Sequence, residues 1–266
     1  MKFNIIFSFA ILIFSVSCKK DAATKNQPSC PIVKISTGTD MNSVFSYDES
    51  GRLESINYYG SSITHFSYAG NTIIAISENL VNGNFYRKKT YTIDGNGRVA
   101  TIKTEYNKTG SDWGLEIYEY NGTQPVKRTL TTSSGNTSVC NYVWKDNNLT
   151  EAHYTVQNSS KQLIATQDIM LEYYTDQSYQ LGDGRSEDYR VYYGIEIIHP
   201  KNLTKKYRST YTEYTQVDPD LPPMPVSSIE TSNYSYGFDS HGKIISVTVT
   251  NEDNNQSIIT YEYECD

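Results

Sequence analysis

Histidine, cysteine and tryptophan are scarce in this 266-residue chain, at four, four and two. His65, His153, His199 and His241 stand far apart, with no His-x-His or His-Glu-x-x-His spacing, so no metal or acid–base site is indicated. No Cys-x-x-Cys pair occurs, which weighs against redox chemistry and structural zinc. A Gly-x-Ser-x-Gly elbow and a phosphate-binding loop are missing, and 30 acidic residues single out no carboxylate pair. Asp94-Gly95-Asn96-Gly97 resembles part of a calcium loop but lacks its downstream glutamate, and a hairpin turn explains it. Asp183-Gly184-Arg185-Ser186-Glu187-Asp188 reads as a solvated loop. The formal charge of -7 argues against nucleic acid, which wants a basic face. No catalytic residue, metal or cofactor is expected.

Long apolar runs are also lacking, apart from one at the start. Phe3 to Val16 is broken only by Asn4, Ser8 and Ser15. That is too short for a spanning helix, which needs about 20 apolar residues, and it fits the core of a secretory signal. Residues 1–17 are read as this signal. The polar stretch at 18–30, opening Lys19-Lys20-Asp21, reads as a flexible tether. Residues 31–266 fit one large domain. No helical apolar spacing persists there beyond two turns.

What the chain does have is a repeated turn. Asp48 to Gly51-Arg52-Leu53 and Ile56 recurs as Asp94 to Gly97-Arg98-Val99 and Ile102, and as Asp239 to Gly242-Lys243-Ile244 and Val247. Asp opens a type I turn by accepting backbone hydrogen bonds, and Gly takes the left-handed conformation that closes a hairpin. Weaker turns stand at Gly70-Asn71, Gly122-Thr123 and Asp146-Asn147.

Before the turns, apolar residues, mostly aromatic, alternate with polar ones. The pattern runs through Phe45-x-Tyr47, Phe66-x-Tyr68, Tyr91-x-Ile93, Tyr118-x-Tyr120, Tyr142-x-Trp144, Leu171-x-Tyr173, Tyr236-x-Phe238 and Tyr261-x-Tyr263. Such alternation marks strands with one buried face. Ile198 continues the series, and a proline-rich insertion, Val217 to Pro225, which no regular strand should hold, interrupts it before Phe238. Each beat fits two strands and two turns. The reading is all-β: a large antiparallel up-and-down meander of roughly 14–18 strands, which at that width should be a closed or strongly curved barrel. Burial should take most of the aromatic stripe, leaving any ligand site to loops at a barrel end.

Small residues before Cys18, in Phe14-Ser15-Val16-Ser17-Cys18, resemble the lipobox of bacterial lipoproteins. That resemblance implies lipid on Cys18, a membrane link through it, and an outer-membrane address facing the periplasm or the cell surface. Tyr47-Asp48-x-x-Gly51-Arg52-Leu53 resembles the YD repeat of Rhs-type proteins. With Asn202-Leu203-Thr204-Lys205-Lys206 and the ending Thr260-Tyr261-Glu262-Tyr263-Glu264-Cys265, the chain resembles uncharacterised Bacteroidota lipoproteins with a porin-like fold. The resemblance implies shape but no activity. Alternation here is too short and too polar for a lipid-facing wall, so the barrel is expected to be soluble.

Cys30 opens the folded part and Cys265 is penultimate, so a closing meander should pair them as a disulfide. Cys140 shares a strand face with Tyr142 and Trp144 and should be a buried free thiol. Twenty-four tyrosines suit sugar rings as well as a core, and Trp113, placed in an expected loop, is the one named ligand-contact candidate. The first functional reading is a ligand- or glycan-binding module, the second a structural or protein-interaction lipoprotein. A hydrolytic enzyme comes third.

Overall fold

The computed structural model describes residues 30–38, 41–183, 197–215 and 224–264. Its strands are β1 (Ile32–Thr37), β2 (Met41–Tyr47), β3 (Leu53–Tyr58), β4 (Ser62–Ala69), β5 (Thr72–Asn79), β6 (Phe85–Ile93), β7 (Val99–Glu105) and β8 (Trp113–Asn121). They continue with β9 (Gln124–Thr132), β10 (Thr137–Lys145), β11 (Asn148–Gln157), β12 (Leu163–Ser178), β13 (Asn202–Thr215), β14 (Met224–Phe238), β15 (Ile244–Asn251) and β16 (Gln256–Tyr263). Each pairs antiparallel with its neighbours in sequence, and β1 pairs with β16, closing the sheet into a barrel.

Chemistry at the repeated turn explains its spelling. Asp48 Oδ1 accepts the N–H groups of Ser50 and Arg52, both at 2.9 Å, and Gly51 closes the turn at φ 67°. Asp94 and Asp239 repeat this on Asn96 and Arg98, and on His241 and Lys243. The basic residue has two roles. Arg98 bridges to Asp94 at 2.6 Å and lies 4.5 Å above the ring of Tyr120; Arg52 does the same with Asp48 and Tyr68.

The three-residue spacing of the apolar pair also has a cause. Leu53 and Ile56 are both buried, yet strict alternation would put them on opposite faces. A register shift between Ser46 and Tyr47 absorbs the odd residue, and the same shift sits between Thr92 and Ile93 and between Gly237 and Phe238. A bulge takes a carbonyl out of the ladder, and an aromatic tip meets it. The hydroxyls of Tyr47, Tyr68, Tyr120, Tyr173 and Tyr263 donate to the carbonyls of Ile32, Leu53, Val99, Leu149 and Ile244 at 2.7–2.8 Å. Trp144 Nε1 donates likewise to the Pro125 carbonyl at 2.7 Å. These bonds knit successive hairpins around one end of the barrel.

Inside lie Ile56, Ile102, Leu149, Leu203, Ile244 and Val247, all fully buried, with Tyr91 and Phe45. Burying each such aliphatic side chain contributes about 1.5–3 kcal/mol. The outer wall carries ion pairs instead, among them Lys34–Glu262 and Lys127–Glu119, both under 3 Å. A lipid-facing wall would be apolar outside and polar within; here the inside is largely apolar, and the outside mixes ion pairs with exposed apolar side chains such as Ile117, Met170 and Ile258.

Three expectations need correction. Ile198 is buried but in no strand: it belongs to the connection between β12 and β13. The proline-rich stretch does not end regular structure at Pro225, because Met224 and Pro225 begin β14; Pro is tolerated on a strand that is locally an edge. Of the aromatic stripe, Phe45, Tyr91, Tyr142 and Tyr261 are buried, Tyr47, Phe66, Tyr68, Trp144, Tyr236 and Tyr263 are half-buried, and Phe238 is exposed. The half-buried ones other than Phe66 keep a polar tip near the rim, where it donates to a backbone carbonyl.

Candidate functional site: the barrel interior and the projecting hairpin

Two regions carry features that the repeat does not require. The first is inside β8 to β11. Glu116, Tyr118, Arg128, Cys140, Tyr142 and Tyr154 face inward on neighbouring strands, placed there by alternation and by the pairings Tyr118↔Arg128, Arg128↔Cys140 and Cys140↔Tyr154. Tyr118 donates to Glu116 Oε2 at 2.7 Å, Arg128 approaches the same oxygen at 3.6 Å, and its guanidinium lies 5.3 Å from the Tyr154 ring centre. Burial pulls the Arg128 guanidinium down, but the oxygens of Tyr142, Tyr154 and Tyr118 and the Glu116 carboxylate outweigh it, so the group stays charged. Burial pushes the Cys140 thiol up, against hydrogen bonds from Tyr154 and Tyr142. Cys140 is thus a buried free thiol, and its protonated form is a poor nucleophile. The cluster pairs its carboxylate and its guanidinium within the core, though Arg128 Nε is buried without a hydrogen-bond partner.

The second region is the far end of β13 and β14, which run 14 and 15 residues where the other hairpins mostly use six to ten. β14 pairs with β13 from Met224 to Asn233, but its partner on the other side, β15, stops opposite Ser232. Residues 224–231 therefore have one open edge among the described residues. Every side chain from Met224 to Glu230 is exposed, Val226 at 62% and Ile229 at 49%.

At the opposite end, the β12–β13 connection turns into the barrel mouth. Asp183, expected in a solvated loop, is only 2% exposed. It accepts from the N–H and Oγ1 of Thr204 at 3.2 and 3.0 Å, and the Tyr236 hydroxyl stands 2.8 Å away. A buried carboxylate needs such partners. The rest of that acidic cluster, Gly184 to Asp188, lies outside the described residues.

Trp113 is not in a loop. It is the first residue of β8, pairs with Glu105, and shares the outer wall with Leu115 and Ile117. It is half-exposed and is brought together with no other candidate. His199 and His241 are exposed, as expected. His153 lies on the outer wall between two carboxylates, Asp168 at 2.8 Å and Glu151 at 3.0 Å, and the Asp168 bond leads in raising its pKa. No group of three His, Cys, Asp or Glu able to hold a metal occurs among the described residues. Cys30 is disulfide-bonded; Cys18 and Cys265 lie outside the described residues. No helix among them is long and apolar enough to cross a membrane.

The fold defines a closed sixteen-strand antiparallel β-barrel with a filled interior. No family model matches the chain, and no curated protein does. Among solved structures it is similar to a porin-like protein from Bacteroides uniformis, at 13% identity and a TM-score of 0.57, over 89% of this chain and 98% of that one. A TcdB2–TccC3 structure aligns at 11% identity and a TM-score of 0.30, over 83% of this chain and 14% of that one. The Tc holotoxin pore of Photorhabdus luminescens aligns at 11% and 0.27, over 84% and 9%. The first likeness is one of fold; the other two are too weak to support an argument.

Proposed function

We propose that this chain is a lipid-anchored envelope protein that works as a protein-interaction module. Its single carrying observation is where the aromatic faces are. Tyrosines of the alternating stripe, the set that could have formed a stacking platform for sugar rings, are turned inward and donate to bulge carbonyls, and the exposed Tyr59, Tyr86, Tyr106 and Tyr211 lie outside that set, whereas the open β14 edge is turned outward. Backbone donors and acceptors on such an edge suit another polypeptide. The lipobox-like run before Cys18 supports an acyl anchor, with the barrel held at the outer membrane by residues 18–30.

A photo-cross-linking side chain placed at Ile229, and in a separate variant at Ile74 on the barrel wall, tests the reading in intact envelopes. Cross-links to protein from position 229 alone are expected. Absence of cross-links from 229, together with a positive glycan array, would restore the glycan-binding reading. Labelling with a fatty-acid analogue tests the anchor; Cys18→Ala should abolish it.

A further inference from the structure

Resting on the interaction reading, we infer that the open edge of β14 takes an extended segment of another protein as an added strand, and that this segment alternates basic with apolar side chains. Three observations carry this.

The edge is long and regular. From Met224 to Asn233 the pairing with β13 has no register shift, and nothing among the described residues pairs with 224–231 from the other side. Pro225 has no N–H, so its place on the strand fits only if its nitrogen faces the open side. By alternation the N–H groups of Ser227, Ile229 and Thr231 then point to the open side too. These are donors that an added strand can use.

The two faces beside the edge differ. Glu213 pairs with Val226 and Ser209 with Glu230, so both glutamates share one face with Tyr211, which is 40% exposed. Ile229, Ser227 and Thr231 share the other. An incoming strand would set alternate residues on one face beside Val226, Ser228 and Glu230, with Glu213 one strand further in on β13, and on the other face beside Ser227, Ile229 and Thr231. Lysine or arginine suits the first face, with its stem along Tyr211, and a β-branched apolar residue suits the second.

The charge of the projecting part is of one sign. Among its described residues, Ser209 to Thr215 and Met224 to Glu230, the charged side chains are Glu213 and Glu230, and Arg208, paired with Thr231, stands at the base. A second copy of this hairpin would bring like charges together, which argues against edge-to-edge pairing of the chain with itself. Pro225 and Glu230 also guard the edge against indiscriminate pairing.

The test uses the full chain and two eight-residue peptides, one alternating Lys with Val and one alternating Glu with Val. Hydrogen exchange reads the Ser227, Ile229 and Thr231 amides, and anisotropy of labelled peptide reads affinity. The Lys/Val peptide should slow those amides. Ser227→Pro removes a donor from the open side and leaves the backbone ladder to β13 intact, so it should weaken binding about a hundredfold; Ser227→Ala, which removes only the hydroxyl contact to Thr212, is the control and should bind as the parent does. Glu213→Gln with Glu230→Gln should weaken it about fivefold. Equal binding of the Glu/Val peptide, or no protection of the three amides, overturns the proposal. If the peptides fail while the cross-link from position 229 persists, the interaction reading stands and only the partner class falls. Loss of both ends both.

Discussion

Removing one hydroxyl, in Tyr120→Phe, tests whether the tyrosine-to-carbonyl bonds hold the hairpins together. The Tyr120 hydroxyl donates to the Val99 carbonyl at 2.8 Å, and Val99 is buried beside the bulge. The substitution keeps the ring and leaves Arg98 its stacking contact at 4.5 Å, so packing is preserved and only the donor goes. A carbonyl out of the ladder and away from water then has no partner, which costs about 1–2 kcal/mol. For a domain of this size each kcal/mol moves Tm by about 2–4 °C, so a fall of about 2–8 °C is expected in a calorimetric scan. Tyr59→Phe is the control: that side chain is exposed, and the change should stay within about 0.5 kcal/mol. Tyr68 and Tyr263 make the same bond on β4 and β16. Four strands separate neighbouring sites along the sheet, on the order of 19 Å, so the triple variant should lose about the sum of the singles. If Tyr120→Phe behaves like Tyr59→Phe, the bonds are incidental to stability and the bulges are held by packing alone.

The same tyrosines predict an alkaline limit. Burial pushes Tyr47, Tyr68, Tyr120 and Tyr263 up to about 12 in the folded chain, against about 10 unfolded; their contribution is complete below pH about 10 and lost as pH rises towards about 12, so a urea midpoint unchanged from pH 9 to 11.5 would refute it. Cys140 should resist thiol reagents at pH 8.5 until urea unfolds the barrel, and rapid labelling of native protein would contradict its burial. Peptide mapping without reductant should recover Cys30 joined to Cys265, since Glu264 N–H already bonds to the Pro31 carbonyl at 3.1 Å; recovery of any other Cys30 partner overturns that pairing. Glu116→Leu should destabilise by about 2–4 kcal/mol because it leaves Arg128 charged in the core, and adding Arg128→Met should recover part of the loss; equal single and double losses would show that the pair does not act as a unit.

Elements built from neighbouring residues were legible in the sequence. The Asp-x-x-Gly turns, the alternating stripe and a strand number near sixteen all follow from short-range rules. A matching set at the other barrel end was overlooked, because Asn replaces Asp and no Gly marks it. Asn158 Oδ1 accepts from Ser160 and Gln162, and Asn251 Oδ1 from Asp253 and Asn255, while Lys161 and Asn254 take the left-handed conformation themselves. Glu116 offered a signal that could have been used: it stands between Gly114 and Tyr118 in the inward alternation, and a carboxylate there demands a partner. The burial of Asp183 offered none, since it depends on Thr204 and Tyr236 from two other strands. The β14 edge was hidden for a similar reason, because a strand's open side is set by where its neighbour ends.

Closure through β1 and β16 has a consequence for how the molecule is made. The Lys34–Glu262 contact spans 228 residues, whereas the other sheet pairings join strands that are consecutive in the chain. Hairpins can therefore form in order as the polypeptide emerges, but the ring cannot shut until its final strand arrives. For an unstructured segment, bringing such distant ends together would cost about 5 kcal/mol; the zipped hairpins between them reduce that cost by delivering the two edges side by side. Until then every intermediate carries β1 and the newest strand as two raw edges. A ribosomal or proteolytic truncation that removes β16 should thus yield a polymerising species, and not merely a weaker barrel, because the exposed edges of different molecules can pair where those of one molecule no longer meet.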